Sequence, residues 1–212
     1  QYGIGTINGP TQQPEDEPPY VSCHAATTDA AGTPVVYAAA PGVNGRRGAV
    51  YRVTMTGGSS TLPIELDDAA VDDGLLGPAA GDSLGTYKSG WRCLLDTGDI
   101  NGDGVDDLLV GAYSIGANYE GGAVVFEGPL SGELTITDAA GTILGTEHNA
   151  ALGWSVTTIS DVDGDGAADF VIGGPGTGGS SSNIPGYAFL VTASPAGGLV
   201  MPDDARAVFE GA

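Results

Sequence analysis

The chain has 212 residues, 41% of them hydrophobic, enough to bury a core as one domain or two small ones without relying on disulfides or a metal. Its formal charge of −21, from 27 Asp and Glu against six Lys and Arg, repels phosphate backbones and anionic headgroups, which excludes nucleic acid and lipid surfaces as partners. No apolar run is long enough to cross a bilayer as a helix, and 37 Gly and 13 Pro interrupt the chain so often that short strands joined by turns are the natural reading.

From the N-terminus, Q-Y-G-I-G-T-I-N reads as a strand and T-Q-Q-P-E-D-E-P-P as an extended acidic linker, so residues 1–20 stand apart. Gln1 is not followed by the basic-then-apolar plan of a signal peptide, and the chain reads as mature or cut from something larger. Cys23 to Asp29 opens a first unit, followed by V-V-Y-A-A-A-P and the strand G-A-V-Y-R-V from Gly48.

A second unit begins near residue 86. Gly90 and Trp91 lead into R-C-L-L-D, then D-I-N-G-D-G-V-D-D-L-L-V-G-A from Asp99, the strand G-A-V-V-F from Gly122 and T-I-L-G-T from Thr142. A third unit repeats this order: Gly153 and Trp154, then S-V-T-T-I, then D-V-D-G-D-G-A-A-D-F-V-I-G-G from Asp161, G-Y-A-F-L from Gly186 and A-V-F-E-G from Ala207. The units run 21–85, 86–147 and 148–212. Self-similarity at this period, with four short strands per unit, points to all-β propeller blades; a β-sandwich is the rival, but it does not require one strand–loop–strand chemistry to recur in register.

The acids cluster in the two loops. Side chains of Asp99, Asn101, Asp103 and Asp107 with the carbonyl of Val105 alternate along the second-unit loop, as do Asp161, Asp163, Asp165 and Asp169 with the carbonyl of Ala167 in the third. Calcium takes six to eight oxygens, and Gly at the bends lets such a loop wrap them round one centre. Without a cation, carboxylates about 4 Å apart repel by roughly 4 kcal/mol per pair at an effective dielectric near 20. An Asp- and Gly-rich turn that binds nothing is the plain alternative, against which the registered recurrence argues. The EF-hand reading fails because Val110 and Ile172 stand where its bidentate Glu belongs.

The pattern D-x-[DN]-G-D-G-x-x-D, followed by a strand ending Gly-Ala or Gly173-Gly174-Pro175, resembles the FG-GAP repeat of integrin α subunits and bacterial surface proteins. The likeness is strong from about Gly90 to Pro175, weaker from Cys23 to Val53 and absent over residues 1–20; Gly153-Trp154 stands imperfectly at the Phe-Gly element. It implies a calcium-binding loop between the first two strands of a blade, two Ca²⁺ ions in this chain and an extracellular or cell-surface location. The first unit, offering only Asp29 and the turn Gly32-Thr33-Pro34, is expected to hold none, and the third loop, with one more acid, to bind more tightly.

Function is then expected to be non-enzymatic: a calcium-stabilised binding or structural module for adhesion or self-assembly. Its partners would be another protein or copies of itself, without nucleic acid or membrane insertion. Three blades do not close a propeller, so a larger chain or assembly would complete it, and the N-terminal strand could be donated to a neighbour in a homo-oligomer or filament. Two other readings are an accessory propeller of a larger secreted hydrolase and a calcium-dependent lectin-like module.

The remaining candidates are weaker. His24 and His148 fall in different units without a nucleophile motif. Trp91 and Trp154 read as blade-to-blade packing, Cys23 and Cys93 as a bridge or two thiols, and G-T-G-G-S-S-S-N from Gly176 as a long flexible loop.

Overall fold

Runs of Val, Leu, Ile and Phe between glycine-rich turns form strands too short and too β-branched for helices. The computed structural model describes residues 7–8, 23–29, 31–40, 49–54, 64–65, 73–76, 94–116, 118–131, 134–179, 182–192 and 194–211. Strand β1 is Ile7–Asn8. The first unit holds β2 (Cys23–Thr28), β3 (Pro34–Ala40), β4 (Ala49–Thr54), β5 (Ile64–Glu65) and β6 (Asp73–Leu76). The second holds β7 (Leu95–Gly98), β8 (Asp107–Gly111), β9 (Gly122–Phe126), β10 (Leu134–Thr135) and β11 (Gly141–Gly145). The third holds β12 (Ser155–Ile159), β13 (Asp169–Gly174), β14 (Thr177–Gly179), β15 (Ser182–Ile184), β16 (Tyr187–Val191), β17 (Leu199–Met201) and β18 (Ala207–Glu210).

Each unit is an antiparallel four-stranded meander: β2-β3-β4-β6, β7-β8-β9-β11 and β12-β13-β16-β18. The fold is all-β, and the three sheets form an open array of propeller-type blades rather than a closed barrel. Two apolar layers hold them face to face. Val35, Tyr37 and Val50 of the first sheet pack with Leu108, Val110, Val124 and Phe126 of the second. On the opposite face of the second sheet, Leu109, Val125 and Ile143 pack with Phe170, Ile172 and Phe189 of the third. The second sheet is buried on both faces, which is why β8 and β9 read as unbroken apolar runs.

Short parallel strands tie unit to unit. The segment between the third and fourth strands of each unit lies beside an outer strand that precedes it: β10 on β6, β17 on β11 and β5 on β1. By this repeated relationship, β1 takes the position of an outer strand before the first unit. The N-terminal strand expected to be available to a neighbour is thus paired, over its described residues Ile7–Asn8, with Ile64–Glu65 of its own chain.

Two further expectations meet the structure. The glycine- and serine-rich run from Gly176 is not an open loop: β14 and β15 pair as a hairpin, with Thr177 opposite Ile184, because backbone pairing satisfies a segment that has few side chains to pack. Trp154 packs across the unit boundary, its ring edge-on to Tyr113 with centroids 5.0 Å apart, as the packing reading requires. Trp91 and Cys93 lie outside the described residues, and with them the question of a bridge to Cys23.

Candidate metal centre

Each acidic loop joins the first and second strands of its sheet. Gly98 pairs with Asp107 across the base of one, and Ile159 with Asp169 across the base of the other, so the last acid of each loop is also the first residue of a buried strand. Asp107 and Asp169 are accordingly only 1% and 2% exposed, while Asn101, Asp103, Asp161, Asp163 and Asp165 stand in solvent and Asp99 is half-buried.

The two loops share a common set of hydrogen bonds, to which the third adds the Gly164 amide on Asp161 Oδ1 and the second the Asn101 amide on Asp107 Oδ2. Asp99 Oδ1 accepts the Asp103 amide at 2.9 Å and its Oδ2 the Gly104 amide at 2.9 Å. Asp161 does the same for Asp165 at 3.2 Å and Gly166 at 2.9 Å. Asn101 Oδ1 accepts from Asp103 as Asp163 Oδ1 accepts from Asp165, and Asp103 Oδ1 accepts from Val105 as Asp165 Oδ1 accepts from Ala167. Asp107 Oδ2 takes the Ile100 amide at 2.9 Å, and Asp169 Oδ2 the Val162 amide at 2.6 Å. The loops can turn this tightly because Gly102, Gly104, Gly164 and Gly166 all adopt positive φ, between 77° and 96°.

The first unit shows the same connection shortened to a hairpin. Asp29 Oδ1 accepts the amides of Ala31 at 2.9 Å and Thr33 at 2.8 Å, and Gly32 turns the chain at φ 77°. One acid that caps a turn is all that remains there.

Carboxylate chemistry differs along the third loop. Backbone amides of Gly166 and Gly164 hold Asp161 below the ordinary carboxylate range, while burial, then the charges of Asp163, Asp161 and Asp165, push Asp169 above it. Burial likewise raises Asp107, against the amides of Gly128, Asn101 and Ile100 that stabilise its charged form.

The donor set fits a hard cation. Carboxylate oxygens of Asp161, Asp163 and Asp169 lie within 4.8 Å of one another, the one such group of three or more acidic, imidazole or thiol side chains among the described residues. Asp165 is not part of that group; its Oδ1 is turned to the Ala167 amide. In the second loop, Asp99, Asp103 and Asp107 are not gathered in this way, and the Asn101 amide donates to Asp103 Oδ2 at 3.3 Å instead. The difference is one of residue type: the positions matching Asp161, Asp163 and Asp169 are Asp99, Asn101 and Asp107, and Asn101 brings an amide where the third loop has a carboxylate.

Fold and loops together define an all-β repeat protein in which the second and third blades carry an acidic loop between their first two strands. Residues 95–126 match the FG-GAP repeat model. The chain is 35% identical to integrin alpha-PS2 of Drosophila melanogaster over 117 residues, 51% of this chain and 8% of that protein. It is 37% identical to integrin alpha pat-2 of Caenorhabditis elegans over 78 residues, 36% of this chain and 6% of that protein. Phosphatidylinositol-glycan-specific phospholipase D of Bos taurus is 40% identical over 80 residues, 36% of this chain and 9% of that enzyme. The chain therefore contains an FG-GAP repeat homologous to those of integrin alpha chains, and it spans less than a tenth of the length of these curated relatives.

Proposed function

We propose that this chain is a non-enzymatic, calcium-stabilised module of an extracellular or cell-surface protein, working through contact with another protein or with copies of itself. The observation that carries the reading is the shared hydrogen-bond framework of two acidic loops, one of which gathers Asp161, Asp163 and Asp169 within 4.8 Å. Asp99, Asn101, Asp103 and Asp107, with the carbonyl of Val105, would hold one ion; Asp161, Asp163, Asp165 and Asp169, with the carbonyl of Ala167, would hold the other. The chemistry a bound calcium supplies is neutralisation of these carboxylates. The loops themselves fix the starts of β8 and β13 and so the stacking of the sheets.

The homology to integrin alpha chains supports the surface and binding parts of this reading, and the absence of a long apolar helix among the described residues is compatible with it. A second reading, an accessory blade array of a larger secreted hydrolase, is favoured by the likeness to a phospholipase D. In that case the catalytic groups would belong to another part of the protein.

Thermal unfolding with light scattering, in excess calcium and then in chelator, tests the proposal. A large calcium-dependent rise in Tm supports metal-rigidified loops, and a multimeric mass supports self-association. Equal unfolding in both conditions would overturn the loop assignment.

A further inference from the structure

A cavity of about 280 Å³ lies between the second and third sheets, at the end of β13 away from the acidic loop. Leu152, Phe189 and Met201, all buried, give it an apolar lining, and Val208, 48% exposed, forms part of its wall. Glu147, Glu210 and the half-buried Tyr187 line it as well, both glutamates being exposed to solvent. The Tyr187 ring lies parallel to Phe189, 8° between planes and 5.9 Å between centroids. Glu210 and Glu147 are near enough for their charge to add to burial in raising the Tyr187 hydroxyl. Among the described residues, no Lys or Arg lines the cavity.

An apolar interior with carboxylates at its edge selects among occupants. An acidic group is repelled. A purely aliphatic one fills the interior but strips water from Glu147 and Glu210 without replacing it, which carries a desolvation cost. A basic side chain satisfies both parts, since Lys and Arg lay an aliphatic stem on apolar surface and keep a charged head among polar groups, and an aromatic face nearby adds attraction. At roughly 30 Å³ per water-sized group, the space holds the heavy atoms of either side chain.

We propose that this cavity receives a Lys or Arg side chain of a partner protein, its stem against Leu152, Phe189 and Met201 and its cationic head at Glu147 and Glu210. The inference extends the binding-module reading to the chemistry of the partner. It also gives the chain's excess of acids a local use outside the metal loops: charge complementarity that steers and orients a basic surface.

The test is an NMR titration of the calcium-saturated chain with two short peptides, Gly-Lys-Gly and its norleucine counterpart, which has the same stem without the charge, and with Gly-Glu-Gly. Saturable shifts at the Met201 methyl and the Tyr187 ring are expected from the lysine peptide, with affinity about two- to fivefold above the norleucine peptide. Gly-Glu-Gly should give none. The double variant Glu147→Gln with Glu210→Gln, on an exposed rim and checked for unchanged Tm, should bring the two peptides to equal affinity. Equal binding of both peptides by the unaltered chain, or no shift at these residues with any peptide, would overturn the inference. Failure of calcium to stabilise the chain would instead overturn the module reading and leave the lysine preference standing.

Discussion

The amide of Ala168 donates to the carbonyl of Asp99 at 2.6 Å, so the end of the third unit's acidic loop is bonded to the beginning of the second's. The loops also touch at their bends, where a Cβ added to Gly102 would lie 3.4 Å from the Gly166 carbonyl oxygen. Ala168 immediately precedes the buried Asp169, and Asp99 opens the ligand series of its own loop. Ordering either loop around an ion therefore orders a backbone group that the other loop uses.

Calcium binding at the two loops is accordingly expected to be coupled. Calorimetric titration of Asp163→Ala, which disables the third loop, should leave one site that is several-fold weaker than either site of the unaltered chain. Asp103→Ala should weaken the third loop by a like factor, because coupling free energy is reciprocal. Unchanged affinity of the surviving site in both variants would show that the bond between the loops transmits nothing.

Within the second loop, Asn101 stands where the third has Asp163, and its amide nitrogen points at Asp103. Asn101→Asp adds a carboxylate and removes that donor, so the second site should gain calcium affinity severalfold, while the chelated protein loses stability through added repulsion. Titration and chelator melting of the same variant check both signs.

Glycine positions separate space from backbone conformation. Gly32 has φ 77° with nothing within 4 Å of an added Cβ, so Gly32→Ala should cost only the left-handed penalty, about 1–2 kcal/mol. Gly153 has φ 81°, and an added Cβ would lie 1.8 Å from the Gly122 carbonyl oxygen where the second and third units meet. Gly153→Ala should therefore cost about 3 kcal/mol or more, since overpacking adds to the same penalty. Denaturant melts of the two variants should differ accordingly; equal losses would mean that the contact can relax.

The acidic loops were legible in the sequence because their chemistry is local: alternating Asp from Asp161 to Asp169 and glycine at the bends need no distant partner. The unbroken apolar runs of β8, β9 and β13 were legible for the same reason. The parallel links Leu134–Thr135 on Leu75–Leu76 and Leu199–Met201 on Ile143–Gly145 were not, since their two or three residues carry no period and their partners lie in another unit. Nor could the β14–β15 hairpin be read from residues that lack side chains to show alternation. The cavity beside Tyr187 and Met201 was hidden because its walls come from two units and its glutamates are far apart along the chain.

The response to pH should reverse with calcium. In chelator, Asp169 and Asp107 hold their protons more tightly folded than unfolded, because burial raises them above the ordinary value of 3.8. Folding then takes up protons as pH falls through their raised values, so mild acidification stabilises the chelated protein and a rise through the same window destabilises it. Asp161 acts oppositely, its stabilising amide bonds being lost only as pH drops below 3.8 toward its lowered folded value. The contribution of Asp169 and Asp107 is thus complete below 3.8 and is lost as pH rises through their raised folded values. With calcium present the carboxylates must be ionised to bind, so acidification through the same window displaces the ion and lowers Tm. Melting curves against pH in the two conditions should slope in opposite directions, and parallel slopes would mean that Asp169 and Asp107 do not share their surroundings with a cation.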